Sequence, residues 1–281
     1  MDATSFRVAV MAFESQPGDA VRHCALVAAE LSGAARLGVQ LALFPQACIG
    51  GHDTARAEAF DGPSIDAIAA AVEQTGVAAG VGWIERTGDG RLYDSYAVCF
   101  PGGARVRHRK LHSTQRGLHG GNRFTVFDTP FGMRIGILIG DDNDVVENVR
   151  MTALMGATLL IAPMSRAASR RATLAARAAD NGMYIAYAHP SSDEAMIVGP
   201  DGRVLARHAT AQDGLIGAQV KPALAEASAG RRALAARRPD LYEPLARQGN
   251  VYPLAIDTER AQARGALALS FAIVGRNRVM G

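Results

Sequence analysis

Two rhythms of apolar residues alternate along this chain. Short unbroken apolar runs read as buried strands, and apolar positions three and four apart read as amphipathic helices. Arg7 to Phe13 is the first strand. Asp19 to Leu37 has helical spacing and meets Gly38, a suitable C-cap. "VQLALFP" is a second strand, halted by Pro45. Ile65 to Gln74 reads as a helix and "GVAAGVGWIE" as a strand. "LYDSYAVCF" and "ARVRHRKLH" form a hairpin pair around the turn at 101–103. "FTVFDTPFGMRIGILIG" is another hairpin, with its turn at Pro130 to Gly132. Val145 to Met155 is a helix, "ATLLIAP" a strand, and Ser169 to Asn181 a helix capped by Gly182. "MYIAYAHP", "EAMIVGPDGRVLARH" and "GLIGAQV" supply the last strands, with a tight turn at Pro200 to Gly202.

Strands alternate with helices in both halves, with hairpins between. This predicts mixed sheets covered by helices, as a single α/β domain over residues 1–281. From about 221 to 281 the pattern weakens into "ALAEASAGRRALAARRPDLYEPL" and an irregular tail. That stretch is expected to be a C-terminal extension, or an arm packed on a second subunit.

Composition narrows the class. Hydrophobic residues make up 48 %, enough for a full core. A formal charge of +3 on 281 residues argues against nucleic acid as a partner. No apolar run reaches the roughly 20 residues that cross a bilayer, so no membrane partner is expected. Cys24, Cys48 and Cys99 lack metal-ligand spacing. No metal or cofactor is therefore expected, and their odd number, with no signal-peptide pattern at the start, fits a reducing cytoplasm. The basic residues are almost all arginine, and the only lysines are Lys110 and Lys221. A lysine surviving in that background is a candidate for work arginine cannot do, as a compact donor with a tunable pKa. The alternative is chance survival on a solvated face.

The run "RIGILIGDDND", Arg134 to Asp144, ends at a turn where a buried strand commonly presents a reactive side chain. Here the apex is Gly140. Together with "LALFPQACIGGHD", "HRKLH", "NGMYIAYAHP" followed by "GPDGRVLA", and "RRPDLYEPL", it resembles the nitrilase, or carbon–nitrogen hydrolase, superfamily. The resemblance runs from residue 7 to about 245, and the order of the motifs carries it. It implies an α-β-β-α sandwich that dimerises into a four-layer stack. It also implies a Glu-Lys-Cys triad, in which a thiolate attacks a nitrile or amide carbon, Glu is the base and Lys stabilises the developing charge.

This sequence departs from that pattern. Gln46 stands at the base position and Gly140 at the nucleophile position. The loop after Lys110 is shorter, with Gln115 the nearest match to a second supporting glutamate. An amide does not take up a proton in the useful range. The expectation is a repurposed, non-hydrolytic enzyme acting on a small nitrogen- or carboxyl-containing metabolite. Two other readings stand beside it: an inactive binding or assembly subunit, and a residual C–N hydrolase using Cys48 or a water held by Asp142.

Burial and the loss of carboxylate neighbours are expected to lower the pKa of Lys110, unless Asp141 or Asp142 turns inward. Asp141 suits a cationic ligand, a salt bridge to Lys110, or an acidic cluster ahead of the helix at Val145. Capping is the favoured role for Asp144. His112 and His119 flank the shortened loop as acid–base candidates or as solvated side chains. Cys48 is a relocated nucleophile or a buried inert thiol. Arg107, His108 and Arg109 read as strand surface.

Overall fold

The computed structural model describes residues 5–13, 19–165, 170–207, 215–242 and 245. The chain forms two compact units, Met1–Ala236 and Arg237–Gly281. In the second, the described residues make a short 3-10 turn, Pro239–Leu241, beside an Arg238–Asp240 ion pair. The irregular tail after it lies outside the described residues.

In the first unit, the described residues make two six-stranded sheets. One has the order β12 (Leu215–Val220), β1 (Phe6–Met11), β2 (Leu41–Leu43), β3 (Ala78–Arg86), β4 (Leu92–Cys99), β5 (Arg105–Arg109). The other runs β11 (Val204–Arg207), β10 (Met196–Val198), β9 (Tyr184–Ala188), β8 (Leu159–Pro163), β7 (Arg134–Ile137), β6 (Val126–Asp128). Each has a parallel centre, β1-β2-β3 and β7-β8-β9, with antiparallel pairs outside. The β4–β5 and β6–β7 hairpins turn at Pro101 to Gly103 and Pro130 to Gly132, as their sequence predicts.

Side-chain alternation makes the layers. In β1, Phe6, Val8 and Val10 join Ile135, Ile137 and Ile161 of the other sheet in a core between the sheets. Ala9 and Met11 point the opposite way, toward α1 (Ala20–Arg36) and α2 (Pro63–Thr75). The second sheet repeats this on its outer face, with Leu160 and Ile185 packing on α3 (Val146–Leu154) and α4 (Arg171–Asn181). The result is the α-β-β-α sandwich. Each fully buried Leu, Ile or Val there contributes about 1.5–3 kcal/mol.

Segments past Val220 begin by docking on this body. After α5 (Pro222–Glu226), α6 (Ala229–Ala235) sends Arg231 Nη1 to the Ala153 carbonyl at the end of α3, 2.8 Å away. Two local expectations fail. His108 is buried within β5, with Nδ1 3.0 Å from Thr125 Oγ1, and is not strand surface. Asp144 caps nothing: a 3-10 turn, Gly140–Asp144, delays α3, whose N-cap is Val145 with no side-chain hydrogen bond. Among the described residues no helix is long and apolar enough to cross a membrane.

Candidate active site

Parallel strands leave their C-terminal ends together, and ligand sites in open α/β sheets form there. Gln46 follows β2, Gly140 follows β7, and Met164 and Ser165 follow β8. Lys110 follows β5, and Asp94 lies within β4. These residues, with His52, Gln115, Leu118, Asp141 and Arg170 among others, line a cavity of about 330 Å³.

Pro45 ends β2 and the chain then turns sharply, with Ala47 at φ +50°. The turn lies against β3 so closely that a Cβ on Gly82 would stand 2.5 Å from Ala47 N. Only glycine lets β3 pass. Gln46 is thereby clamped: its backbone N–H donates to the Met164 carbonyl at 3.1 Å, and its Oε1 accepts from Ser165 N at 3.1 Å. Its Nε2 donates to Asp94 Oδ2 at 2.5 Å.

Lys110 is 5 % exposed. Its ammonium donates to the Asp141 carboxylate and to the His112 carbonyl, the latter at 2.6 Å. Asp142 Oδ1 is 3.8 Å away. The expected stripping of carboxylates from Lys110 therefore does not occur, because Asp141 turns inward. Burial pushes the Asp141 carboxyl up, but the Lys110 hydrogen bond and charge outweigh it and hold the group below the usual carboxylate range. Asp142, fully buried, accepts from the backbone N–H groups of Leu111 and His112 at 2.7 and 2.8 Å and meets His112 Nδ1 at 3.0 Å. It fastens the loop after β5 to the turn after β7. Asp144 pairs with Arg170 at 2.5 and 2.7 Å.

Gly140 has φ +59°, where an L side chain is strained. A Cβ there would meet Gln46 Oε1 at 2.9 Å and Lys110 Cε at 3.4 Å. The space beside the apex is held by the Gln46 carboxamide.

Of the residues singled out in the sequence, Gln46, Lys110, Gln115, Gly140 and Asp141 line the cavity together. The others lie off it. His112 contributes its carbonyl, while its side chain is 54 % exposed and turned to Asp142. His119 packs on the Tyr93 ring, centroids 5.7 Å apart. Cys48 is buried against Gly82, with Sγ 3.6 Å from its carbonyl, and burial pushes the thiol up to about 12. That leaves it neither exposed nor ionised.

Asp94, Ser165, Arg170 and His52 complete the wall without having been singled out. Asp94 had a signal: an acid in the middle of the apolar run "LYDSYAVCF" must be either paired or chemically used. It is 3 % exposed. Burial pushes its carboxyl up to about 7, against the Gln46 hydrogen bond and the Lys110 charge, with Asp142 and Asp141 adding to the rise.

Residues 7–229 match the family model described as carbon-nitrogen hydrolase. A protein from Pseudomonas protegens named "Hydrolase in pqqF 5'region" is 32 % identical over 216 residues, covering 69 % of this chain and 74 % of its own length. Omega-amidase NIT2-A of Xenopus laevis is 30 % identical, covering 66 % and 77 %. Among solved structures, Nit3 of Saccharomyces cerevisiae superposes with a TM-score of 0.73 at 19 % identity, over 84 % of this chain and 97 % of that one. A double mutant of the amidase from Nesterenkonia sp. AN1, glutamate to glutamine and cysteine to alanine, in complex with acrylamide, gives 0.73 at 22 %, over 86 % and 97 %.

Proposed function

The chain belongs to the carbon–nitrogen hydrolase family, and from that premise we propose that this member binds and polarises a small nitrogen- or carboxyl-containing molecule without thiol-dependent hydrolysis, as a repurposed enzyme. One observation carries the reading. The apex of the site is Gly140, and the volume a side chain would need there is held by the Gln46 carboxamide, 2.9 Å from a Cβ. Gln46 is tied at both ends, to Ser165 and to Asp94. It neither attacks nor takes a proton.

Lys110 keeps one half of the family's chemistry. It donates to the Asp141 carboxylate and the His112 carbonyl, and a donor so placed can stabilise a carbonyl or carboxylate oxygen of a ligand. The cavity is of small-molecule size, which favours a ligand over a purely assembling role. The acrylamide complex of the Nesterenkonia double mutant supports an amide as a first probe. In that protein a glutamine replaces a glutamate and an alanine a cysteine, and we read Gln46 and Gly140 as the corresponding pair here.

The test is ammonia release across a panel of nitriles and simple amides. Background rates are expected. Turnover at ordinary enzyme rates that persists in Cys48→Ala overturns the reading of Gly140.

Assembly into a four-layer homodimer through helical faces is part of the proposal. Val146, Met151, Leu154 and Met155 leave a row of large apolar side chains exposed on and just after α3. Light scattering is expected to give a species near twice 29.5 kDa. A monomer at micromolar concentration contradicts it.

A further inference from the structure

The cavity contains a carboxyl group that the family's pattern of roles leaves unused. Asp94 is held from two sides. Its backbone carbonyl accepts from Lys110 N at 2.8 Å, and its Oδ2 accepts from Gln46 Nε2. Its other oxygen, Oδ1, is buried and has no hydrogen-bond partner among the described residues. Lys110 does not complete it, because the ammonium is given to Asp141 and the His112 carbonyl. A buried carboxylate with one hydrogen bond and no contacting cation is costly. A purely structural residue at this place in β4 would be better as an amide or an apolar side chain.

We propose that Asp94 is the proton-exchanging residue of this cavity and that Gln46 is the residue positioning it. This rests on the reading above that the cavity takes a small carbonyl compound. The groups facing Asp94 are Lys110 from the end of β5, Asp141 and Asp142 from the turn after β7, and Gln46 from the end of β2. Arg170 and His52 stand on the same wall. Two carboxylates and burial oppose its ionisation, while one ammonium and one amide favour it. The balance leaves a carboxyl that changes state near neutrality, at about 7.

The ligand class follows from the donors. A carbonyl oxygen faces the Lys110 ammonium, and an N–H or O–H of the same ligand faces Asp94 Oδ1. In the acidic direction the Oδ1–H bond breaks, its electron pair stays on the carboxylate, and the proton bonds to a basic atom of the ligand. A water from the cavity mouth then gives a proton to the carboxylate and leaves as hydroxide to solvent, so that the charge gained by the ligand is balanced there. In the basic direction the same transfer runs in reverse. The exchange involves no change in oxidation state.

The experiment uses full-length protein labelled with ¹³C at aspartate side-chain carboxyls, as wild type, Asp94→Asn and Gln46→Leu, with acetamide as the probe. In wild type one carboxyl resonance is expected to titrate near neutrality, and in Asp94→Asn it is missing. In Gln46→Leu its midpoint moves upward, because the lost hydrogen bond favours the ionised form. A role confined to packing would not produce that shift. Acetamide affinity is expected to rise about tenfold between about pH 5.5 and 8.5 in wild type, as an ionised Asp94 gains the amide N–H, and to stay flat in Asp94→Asn. An Asp94 midpoint in the ordinary carboxylate range near about 3.9 overturns the proposal. So does acetamide affinity independent of pH in wild type, which leaves the cavity reading standing. Absence of acetamide binding counts against the cavity reading, and the titrating resonance then decides Asp94 by itself.

Discussion

Asp94→Asn gains folding stability over wild type as the pH rises from about 4 to about 7, reaching about 4 kcal/mol at the alkaline end. The sign follows from its raised folded pKa, up from 3.8 to about 7. The native state holds that proton more tightly than the unfolded chain does. The contribution is fully present below the unfolded value and is lost as the pH climbs through the folded one. Asparagine is isosteric and still accepts from Gln46 Nε2, so the variant removes the titration and keeps the contact.

The wild-type profile by itself hides the effect. Burial lowers His108 from 6.5 to about 3, so its contribution is present above about pH 6.5 and is lost as the pH falls. The two slopes oppose each other over much of the same window. Urea unfolding of both proteins at pH 5 and pH 8 isolates the Asp94 part as a difference. A difference that does not change between the two pH values contradicts the burial argument.

Lys110→Ala is expected to cost about 3 kcal/mol of folding stability near neutrality, within the range for breaking a buried pair. Read from sequence alone, the change opens space beside a glycine and should spare the fold. The structure reverses that expectation. Removing the ammonium leaves the fully buried Asp142 without the lysine charge 3.8 Å away and leaves Asp141 without its hydrogen-bond donor. Asp141 is 40 % exposed, so solvent screening discounts its share. The Asp141 share of the cost should shrink as the pH falls through its lowered carboxylate range. Lys110→Arg keeps the charge but not the shape, and should retain most stability while losing acetamide binding. Thermal melts with calorimetry on the two variants separate the effects. Equal stability of Lys110→Ala and wild type at pH 7 would remove the ion pair from the account.

Most of the scaffold was legible because its signals are local. The turns at Pro101 to Gly103 and Pro130 to Gly132 set the two hairpins, Pro45 stops β2, and Gly182 stops α4 with φ +59°. The order of motifs singled out Gln46, Lys110, Gln115, Gly140 and Asp141 of the cavity wall, but not Asp94, Ser165, Arg170 or His52. What stayed hidden was pairing between segments far apart in the chain. Asp141 and Lys110 meet across 31 residues, and Asp94 and Gln46 across 48. The acidic run 141–144 looks like a helix cap because composition cannot register that Asp142 is taken by the backbone of Leu111 and His112, or Asp144 by Arg170. His119 sits in the right loop, but its ring is drawn to Tyr93.

Acrylamide tests binding without thiol-dependent hydrolysis in a single experiment, because it is an amide and also reacts with accessible thiolates. All three cysteines are buried, and burial pushes each thiol upward. Full-length protein is incubated with excess acrylamide at neutral pH. Binding is followed by calorimetry, the bound fraction is analysed for acrylate and ammonia, and the protein is weighed by intact-mass spectrometry. Saturable binding, recovery of unchanged acrylamide and an unmodified protein mass are expected. Release of ammonia, or a protein heavier by one acrylamide, would contradict it.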